Sequence, residues 1–372
     1  MAKPIKILFV ATESASGMRP FAASIANTLA ADERFEVHII CCNKKGESYE
    51  SMISKKANPI FVEMPNHFLG KLVYKVWPFR VIRQIKTQTK KINPDVVHFL
   101  TGDFCLAYYI SLHNKSNYYY TVHDLHPHEV EKMSKKDKFF RDYFVIRGNR
   151  ICREKINNLT TSSRSQMSQL HSLFPYKHCE FTYFPSLVTK GITTGTQFPK
   201  EINTNDKYIL FFGNVNRYKG VDLLMEAFTK YVNDSNCKLV IAGKGHVYET
   251  HDKRIIRICR FIDDSEIAEL FKRAQYIVYP YRSATMSGVL SIAYYFNKKI
   301  LASDIPFFID NITSNIELFK CGDVTDMGVQ MNRLLRQQNL NVDKDSYNKL
   351  YSQQALADSY YNLYKNDFKV KK

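Results

Sequence analysis

The segment Lys207-Tyr-Ile-Leu-Phe-Phe-Gly213, Asn214-Val-Asn-Arg217-Tyr-Lys219-Gly220, Val221-Asp-Leu-Leu-Met-Glu-Ala-Phe228 decides the fold of this chain. An apolar run ends at a glycine turn carrying two cations, and an amphipathic run follows. A second apolar run, Cys237-Lys-Leu-Val-Ile-Ala242, ends in Gly243-Lys244-Gly245. A third, Tyr276-Ile-Val-Tyr-Pro280, leads to Ala284-Thr285-Met286-Ser287-Gly288 and another apolar run with helical spacing. Strand, small-residue loop and helix in repeated order is how a parallel α/β sheet is wound. It is also how such a sheet builds an anion site, because backbone N–H groups at the helix starts point at the ligand and a nearby Lys or Arg neutralises it. Two such loops with opposed cations point to a diphosphate, and so to a nucleotide-linked substrate.

Working outward, the first half alternates in the same way. Strands are predicted at 5–11, 36–41, 59–64, 95–100, 118–122, 158–162 and 180–184. Helices are predicted at 19–31, 70–92 around Pro78, 137–155 and 165–173. Residues 186–205 are polar, carry Gly, Thr and Pro, and read as a linker. Strands then return at 208–213, 237–242, 255–261, 276–280 and 299–303, and helical segments at 324–338 and 346–364 close the chain. The predicted architecture is α/β. Two doubly wound, Rossmann-like parallel-sheet domains, 1–185 and 206–345, face a cleft, and the segment 346–372 follows. Ligands in such sheets bind at the carboxyl ends of the strands.

A length of 372 residues is enough for two cores. The net charge of +17 suits nucleic acid, an anionic membrane or a phosphate-bearing substrate, and charge alone does not choose among them. No zinc-finger, helix-turn-helix or RNP-like signature is present, so nucleic acid is not the expected partner. No apolar stretch is long enough to span a bilayer, and residues 1–11 read as a first strand, not a secretory signal. The 8 cysteines include no Cys-x-x-Cys pair and read as buried thiols of a reducing cytoplasm, Cys237 and Cys259 among them.

Gly213 and Gly220 bracket the loop that holds Arg217 and Lys219. One or both cations would bind a sugar-nucleotide diphosphate and stabilise it as it leaves; the alternative is an exposed basic turn. Thr285 and Ser287 can add hydroxyl donors at a helix start, or simply cap the helix. Gly243 and Lys244 would line the same cleft or form a plain turn. In His123-Asp124-Leu-His126-Pro-His128-Glu129, which follows the predicted strand 118–122, His123 would contact the reacting sugar and Asp124 would orient it or the acceptor hydroxyl. The spacing matches no common zinc pattern, so no metal site is assigned. His126, His128 and Glu129 would shape the acceptor side or remain solvated. Ser14-Ala-Ser-Gly17, with Arg19 nearby, is a small-residue loop that would face the phosphate loops, or a structural turn. Residues 71–91 carry 7 Lys or Arg and no acid, interleaved with apolar residues and Trp77. That pattern fits an anionic membrane surface or a helix packed on the sheet. Residues 132–155 add 9 basic residues against 3 acids.

These motifs resemble the glycosyltransferases of the two-Rossmann-domain (GT-B) type, close to the family 4 group of bacterial surface-polysaccharide synthesis. The resemblance rests on Phe211-Phe-Gly213 through Tyr218-Lys219-Gly220-Val-Asp, Val240-Ile-Ala-Gly243-Lys-Gly245, Val278-Tyr-Pro280-Tyr281 and Lys298-Lys-Ile-Leu-Ala-Ser303-Asp304. Thr121-Val-His123-Asp124 and Thr161-Ser-Ser163 resemble the group's amino-domain markers.

The resemblance implies transfer of a sugar from a UDP- or GDP-sugar to a glycan or lipid-linked glycan, as in capsule or O-antigen synthesis. It implies no bound metal and no cofactor beyond the donor. It assigns Lys219 to the phosphates, His123 to the sugar, and the final helix to a return onto the first domain. Retention of configuration follows by the same analogy; Asp124 as a general base would instead predict inversion. Gly213, Asn214, Arg217, Gly243, Lys244, Thr285, Met286, Ser287 and Gly288 complete the expected donor contacts, with Gly17 opposite. The chain departs from the group in three places. Asn214 stands where an Arg is common, with Arg217 as its substitute. Ala284 and Ile292 stand where paired glutamates are usual. The loop Ala284-Thr-Met-Ser-Gly resembles a variant of surface-polysaccharide relatives, which implies an altered donor site. The expected location is cytoplasmic and peripheral on the inner membrane face. The rival readings are a catalytically inactive scaffold or partner protein and a sugar-nucleotide epimerase of the same fold.

Overall fold

The computed structural model describes residues 3–12, 18–43, 49–65, 69–70, 73, 78–102, 104–113, 115–125, 138–139, 141–337 and 340–369. The described residues form two compact units. One runs to Pro185 and resumes at Tyr351; the other is Ser186–Leu350.

The first unit is built on β1 (Ile5–Ala11), β2 (Phe35–Asn43), β3 (Pro59–Glu63), β4 (Val96–Phe99), β5 (Tyr118–Thr121), β6 (Asn158–Thr161) and β7 (His178–Phe181), in the order β3-β2-β1-β4-β5-β6-β7. Every pairing is parallel, with Ile7 of β1 facing Val37 of β2 and Val96 of β4. Side chains alternate across a strand, so β1 feeds two cores. Ile7, Phe9 and Ala11 enter one with Phe21 and Ile25 of helix α1 (Met18–Ala30). Leu8 and Val10 enter the other with Val81 and Ile85 of α2 (Phe79–Ile92) and with Leu106 and Ile110 of α3 (Phe104–His113). Full burial of one such side chain contributes about 1.5–3 kcal/mol.

The C-terminal helix Gln353–Lys369 belongs to this unit. Leu356, Ala357, Tyr360 and Tyr364 enter the core that holds Phe9. Its register is fixed by a polar contact inside that core: Tyr364 Oη lies 2.6 Å from His98 Nδ1, and Thr121 Oγ1 lies 2.9 Å from His98 Nε2. Burial pulls the His98 imidazole down to about 3, so it is neutral.

The second unit has the order β10-β9-β8-β11-β12-β13, again parallel, from β8 (Lys207–Phe212), β9 (Cys237–Ala242), β10 (Ile255–Ile258), β11 (Ile277–Tyr279), β12 (Ile300–Ser303) and β13 (Ile316–Phe319). The strand order turns between β8 and β11, so the loops after those strands open at the switch point of the sheet.

Several elements differ from expectation. Residues 186–205, read as a linker, are built into the second unit. They contain a short helix, Lys190–Thr194. Thr189 Oγ1 donates to Asp264 and Arg260 pairs with Glu201, fastening the segment to the capped helix Asp264–Arg273. Helix 137–155 resolves into a π-helical turn, Arg141–Ile146, and an α-helix, Arg147–Lys155. Strand β7 lies two residues earlier than predicted. The helix Phe104–His113 and strand β13 were not foreseen, since neither carries a clear period. Cys259 is exposed, not buried, because it follows β10 in a loop; Cys237 is buried in β9. Among the described residues no helix is long and apolar enough to cross a membrane.

Candidate active site

In the second unit the loops after β8 and β9 are joined backbone to backbone. Gly213 N donates to Ala242 O (3.0 Å), Val215 N to Lys244 O (2.9 Å) and His246 N to Val215 O (2.9 Å). This close approach requires glycine. Gly243 has φ +151°, and a Cβ there would overlap the Gly213 carbonyl.

The chain then makes a single 3-10 turn, Arg217–Lys219, and leaves it through Gly220 at φ +67°. A Cβ on Gly220 would overlap the carbonyl oxygen of Pro280 at the end of β11. The turn buries Lys219 to 7% exposure. Its Nζ lies 3.6 Å from the centroid of the Tyr281 ring and 5.0 Å from that of Tyr218. No carboxylate pairs with it among the described residues. Burial pulls this ammonium down to about 7, because the aromatic faces replace only part of the lost hydration. An adjacent anion would reverse that shift. The arrangement is a desolvated cation with no carboxylate partner among the described residues, which favours binding of an anion.

The other expected donor contacts lie in the loops after β8, β9 and β11. Asn214, Arg217 and Lys244 are exposed, while Thr285, Met286 and Gly288 are half-buried. Ser287 is buried, with Oγ 3.5 Å from Tyr281 Oη. Thr285 and Ser287 do not cap a helix. The helix begins at Val289, spans only Val289–Tyr295, and Gly288 at its start offers no side-chain bond. Ile292, at the second position usual for glutamate, is buried in that helix.

Two residues beside Lys219 were missed from sequence. Tyr281 supplies the ring under the ammonium. Arg282 joins Asp222 through two bonds of 2.8 and 2.7 Å and also donates to Arg217 O (2.7 Å). Their position directly after Pro280 was the available signal.

In the first unit His123 follows β5 and is half-buried. Its Nε2 lies 2.6 Å from Leu100 O, beyond β4, and its ring meets Phe21 edge-on at 4.8 Å. A bond to a carbonyl requires Nε2 to carry the proton, so Nδ1 is the acceptor. Burial holds the ring below the ordinary imidazole range. Asp124 is half-buried next to it. The loop is shaped by buried Gln166, also missed from sequence. Its Nε2 donates to Val122 O (2.9 Å), His123 O (3.3 Å) and Thr161 Oγ1 (2.6 Å), and its Oε1 accepts from Leu125 N (2.8 Å). Ser163 caps the helix that carries Gln166. Gly17, with the Ser14–Gly17 loop, lies outside the described residues, as do His126, His128, Glu129 and Trp77.

Comparison with known proteins bears on both units. The model of the family described as Glycosyltransferase Family 4 matches residues 15–188, and that of Glycosyl transferases group 1 matches residues 194–351. A curated relative, an uncharacterized glycosyltransferase of Methanocaldococcus jannaschii, is 29% identical over 87 residues. That match spans 21% of this chain and 22% of the relative's length. The fold is similar to that of sucrose-phosphate synthase from Thermosynechococcus elongatus, at a TM-score of 0.72 and 13% identity, covering 98% of this chain and 100% of that one. It is also similar to Anabaena HepE in complex with UDP and glucose, at a TM-score of 0.68 and 12% identity, covering 97% and 100%. WaaG, a glycosyltransferase involved in lipopolysaccharide biosynthesis, gives a TM-score of 0.60 at 14% identity, covering 98% of each chain.

Proposed function

The chain belongs to the GT-B glycosyltransferases of the group 1 and family 4 kind, and from this we propose that it transfers a glycosyl group from a nucleoside-diphosphate sugar to an acceptor hydroxyl. The carrying observation is Lys219, a buried ammonium held over Tyr281 with no carboxylate partner among the described residues. Breaking the bond between the anomeric carbon and the diphosphate oxygen leaves charge on that oxygen. Lys219 stabilises it there, and removing one such preorganised donor typically costs about 100-fold or more in rate. The acceptor oxygen takes the anomeric carbon, and its proton passes to the departing phosphate, with retention of configuration. The donor is a UDP- or GDP-sugar; the similarity to a protein crystallised with UDP supports this class.

We assign His123 to the sugar through Nδ1, and a glycan or lipid-linked glycan of bacterial surface polysaccharide as acceptor. An anionic membrane surface suits that acceptor. In α2, Val81 and Ile85 are buried in the core while Phe79 is 52% exposed. Phe139 and Tyr143, stacked at the start of the π-helical turn and 61% and 39% exposed, with Arg147 over the Tyr143 ring, support such a contact there. Vesicle sedimentation tests it: selective recovery with phosphatidylglycerol over phosphatidylcholine at low salt supports the contact, and equal recovery overturns it.

The reaction is tested with a panel of UDP-, GDP- and other sugar nucleotides, read first as thermal stabilisation and then as release of nucleoside diphosphate with acceptor present. Stabilisation by one class, abolished in Lys219→Ala, is the expected result. A protein stabilised by none of them, or by one of them equally in Lys219→Ala, overturns the proposal.

A further inference from the structure

Three consecutive residues after β11 hold the lysine turn. The Pro280 carbonyl occupies the space where a Cβ on Gly220 would lie. The Tyr281 ring lies against the Lys219 ammonium, and Ser303 Oγ donates to the Tyr281 carbonyl at 2.6 Å. Arg282 takes the turn from both sides. Its backbone N donates to Tyr218 O at 2.7 Å, its Nη1 donates to Arg217 O at 2.7 Å, and its guanidinium is bidentate on Asp222 in the first turn of the following helix.

We propose that Arg282, paired with Asp222, is a positioning residue that fixes the 217–222 turn and so presents the Lys219 ammonium to the donor diphosphate. The inference rests on the reading of Lys219 given above. A lone 3-10 turn closed by a left-handed glycine is weak by itself. Lysine also rides on a flexible four-carbon stem, so its aim depends on the backbone beneath it. Arg282 spans that backbone, and its planar fork matches the Asp222 carboxylate in a way lysine cannot reproduce. The alternative is direct contact between Arg282 and phosphate, and the two make opposite predictions for Asp222. Release from Asp222 would free a direct ligand, whereas it would disable a positioning pair.

The test uses the full chain with Arg282→Ala, Arg282→Lys, Asp222→Asn and the double variant Arg282→Ala/Asp222→Asn, each checked for an intact thermal transition. Amine labelling of Lys219, followed by peptide mass spectrometry from pH 6 to 10, needs no ligand. The wild-type midpoint is expected near 7 and should move up by about one unit or more in the variants, as a loosened lysine regains water. UDP and GDP are the binding probes. A loss of about tenfold or more is expected in Arg282→Ala and Asp222→Asn alike, with the double variant no worse than either, as coupled partners require. Arg282→Lys should recover only part of it.

An unchanged labelling midpoint in Arg282→Ala overturns the proposal, as does unimpaired UDP and GDP binding in Asp222→Asn. If neither nucleotide protects Lys219 in the wild type but the midpoint still moves, the positioning role stands and the donor reading falls. Should a variant lose its thermal transition, Arg282→Lys, which keeps the charge, supplies the same comparison.

Discussion

The ring of Tyr281 lies 3.6 Å from the ammonium of Lys219. This contact joins the loop after β11 to the turn after β8, at the point where the strand order of the second unit reverses. It keeps a cation in a place that water cannot fully solvate.

Burying an uncompensated charge destabilises the fold that holds it. Lys219→Met should therefore raise the melting temperature of the second unit near pH 6 while lowering kcat/KM by about 100-fold or more, the scale of losing one preorganised donor. Calorimetry and steady-state kinetics on the same preparation check both halves. A variant that is less stable and equally active would contradict the assignment.

Nucleotide affinity should depend on pH through the same lysine. In the free protein Lys219 titrates near 7. A bound diphosphate favours the charged form, so above that pH binding must take up a proton. UDP affinity is expected to fall by up to about tenfold per pH unit between 7 and 9, and to be nearly flat from 6 to 7. Isothermal titration in buffers of different ionisation enthalpy counts the proton directly. Linkage also requires the unliganded unit to gain stability as pH rises from about 7 toward the ordinary lysine value, since the unfolded chain holds the proton there and the folded one does not.

Gly220→Ala tests the interlock of the loops. The residue sits at φ +67° against the Pro280 carbonyl. Strain and overlap together should cost more than about 2 kcal/mol and abolish nucleotide binding. Gly322, at φ +80° with nothing near its Cβ position, is the control: Gly322→Ala should cost only about 1 kcal/mol and leave binding intact. Chemical denaturation compares the two.

In the first unit, Tyr364→Phe leaves His98 Nδ1 without its partner inside the core. A loss of about 1–3 kcal/mol is expected in denaturant unfolding, with the second unit's transition unchanged. His98 is held down to about 3 by burial, so its neutral form stabilises the fold above about pH 6.5 and that contribution is lost as pH falls from there toward 3. Wild-type acid unfolding should show this slope; a flat profile between pH 6 and 4 would contradict it.

Gln166→Ala should disturb the His123 ring through the backbone that carries it. Three loop groups, Val122 O, His123 O and Leu125 N, lose their partner. Activity is expected to fall by about tenfold or more while nucleotide binding, proposed above for the second unit, is unchanged. Equal loss in both measurements would point to unfolding instead.

Much of this protein was legible in its sequence because parallel strands are buried on both faces and announce themselves as apolar runs. Ile5–Ala11, Lys207–Phe212 and Cys237–Ala242 needed no context, and the glycines after the latter two marked where backbones must approach. Local chemistry is short-range, and short-range rules read it: Gly213, Gly220 and Gly243 adopt the positive φ that their turns demand. Other features depended on residues far apart in the chain. That Lys219 is buried, that it lies over Tyr281, and that Arg282 reaches Asp222 60 residues away are consequences of β11 pairing with β8. The membership of 186–205 in the second unit and the hold of Gln166 on the His123 loop are of the same kind. The sequence determined most of the strands and where the glycine turns between them form, because those follow from periodicity and backbone sterics. Only the tertiary structure decided which cation loses its water and what holds it in place, because desolvation and hydrogen bonding are properties of neighbours that only folding brings together.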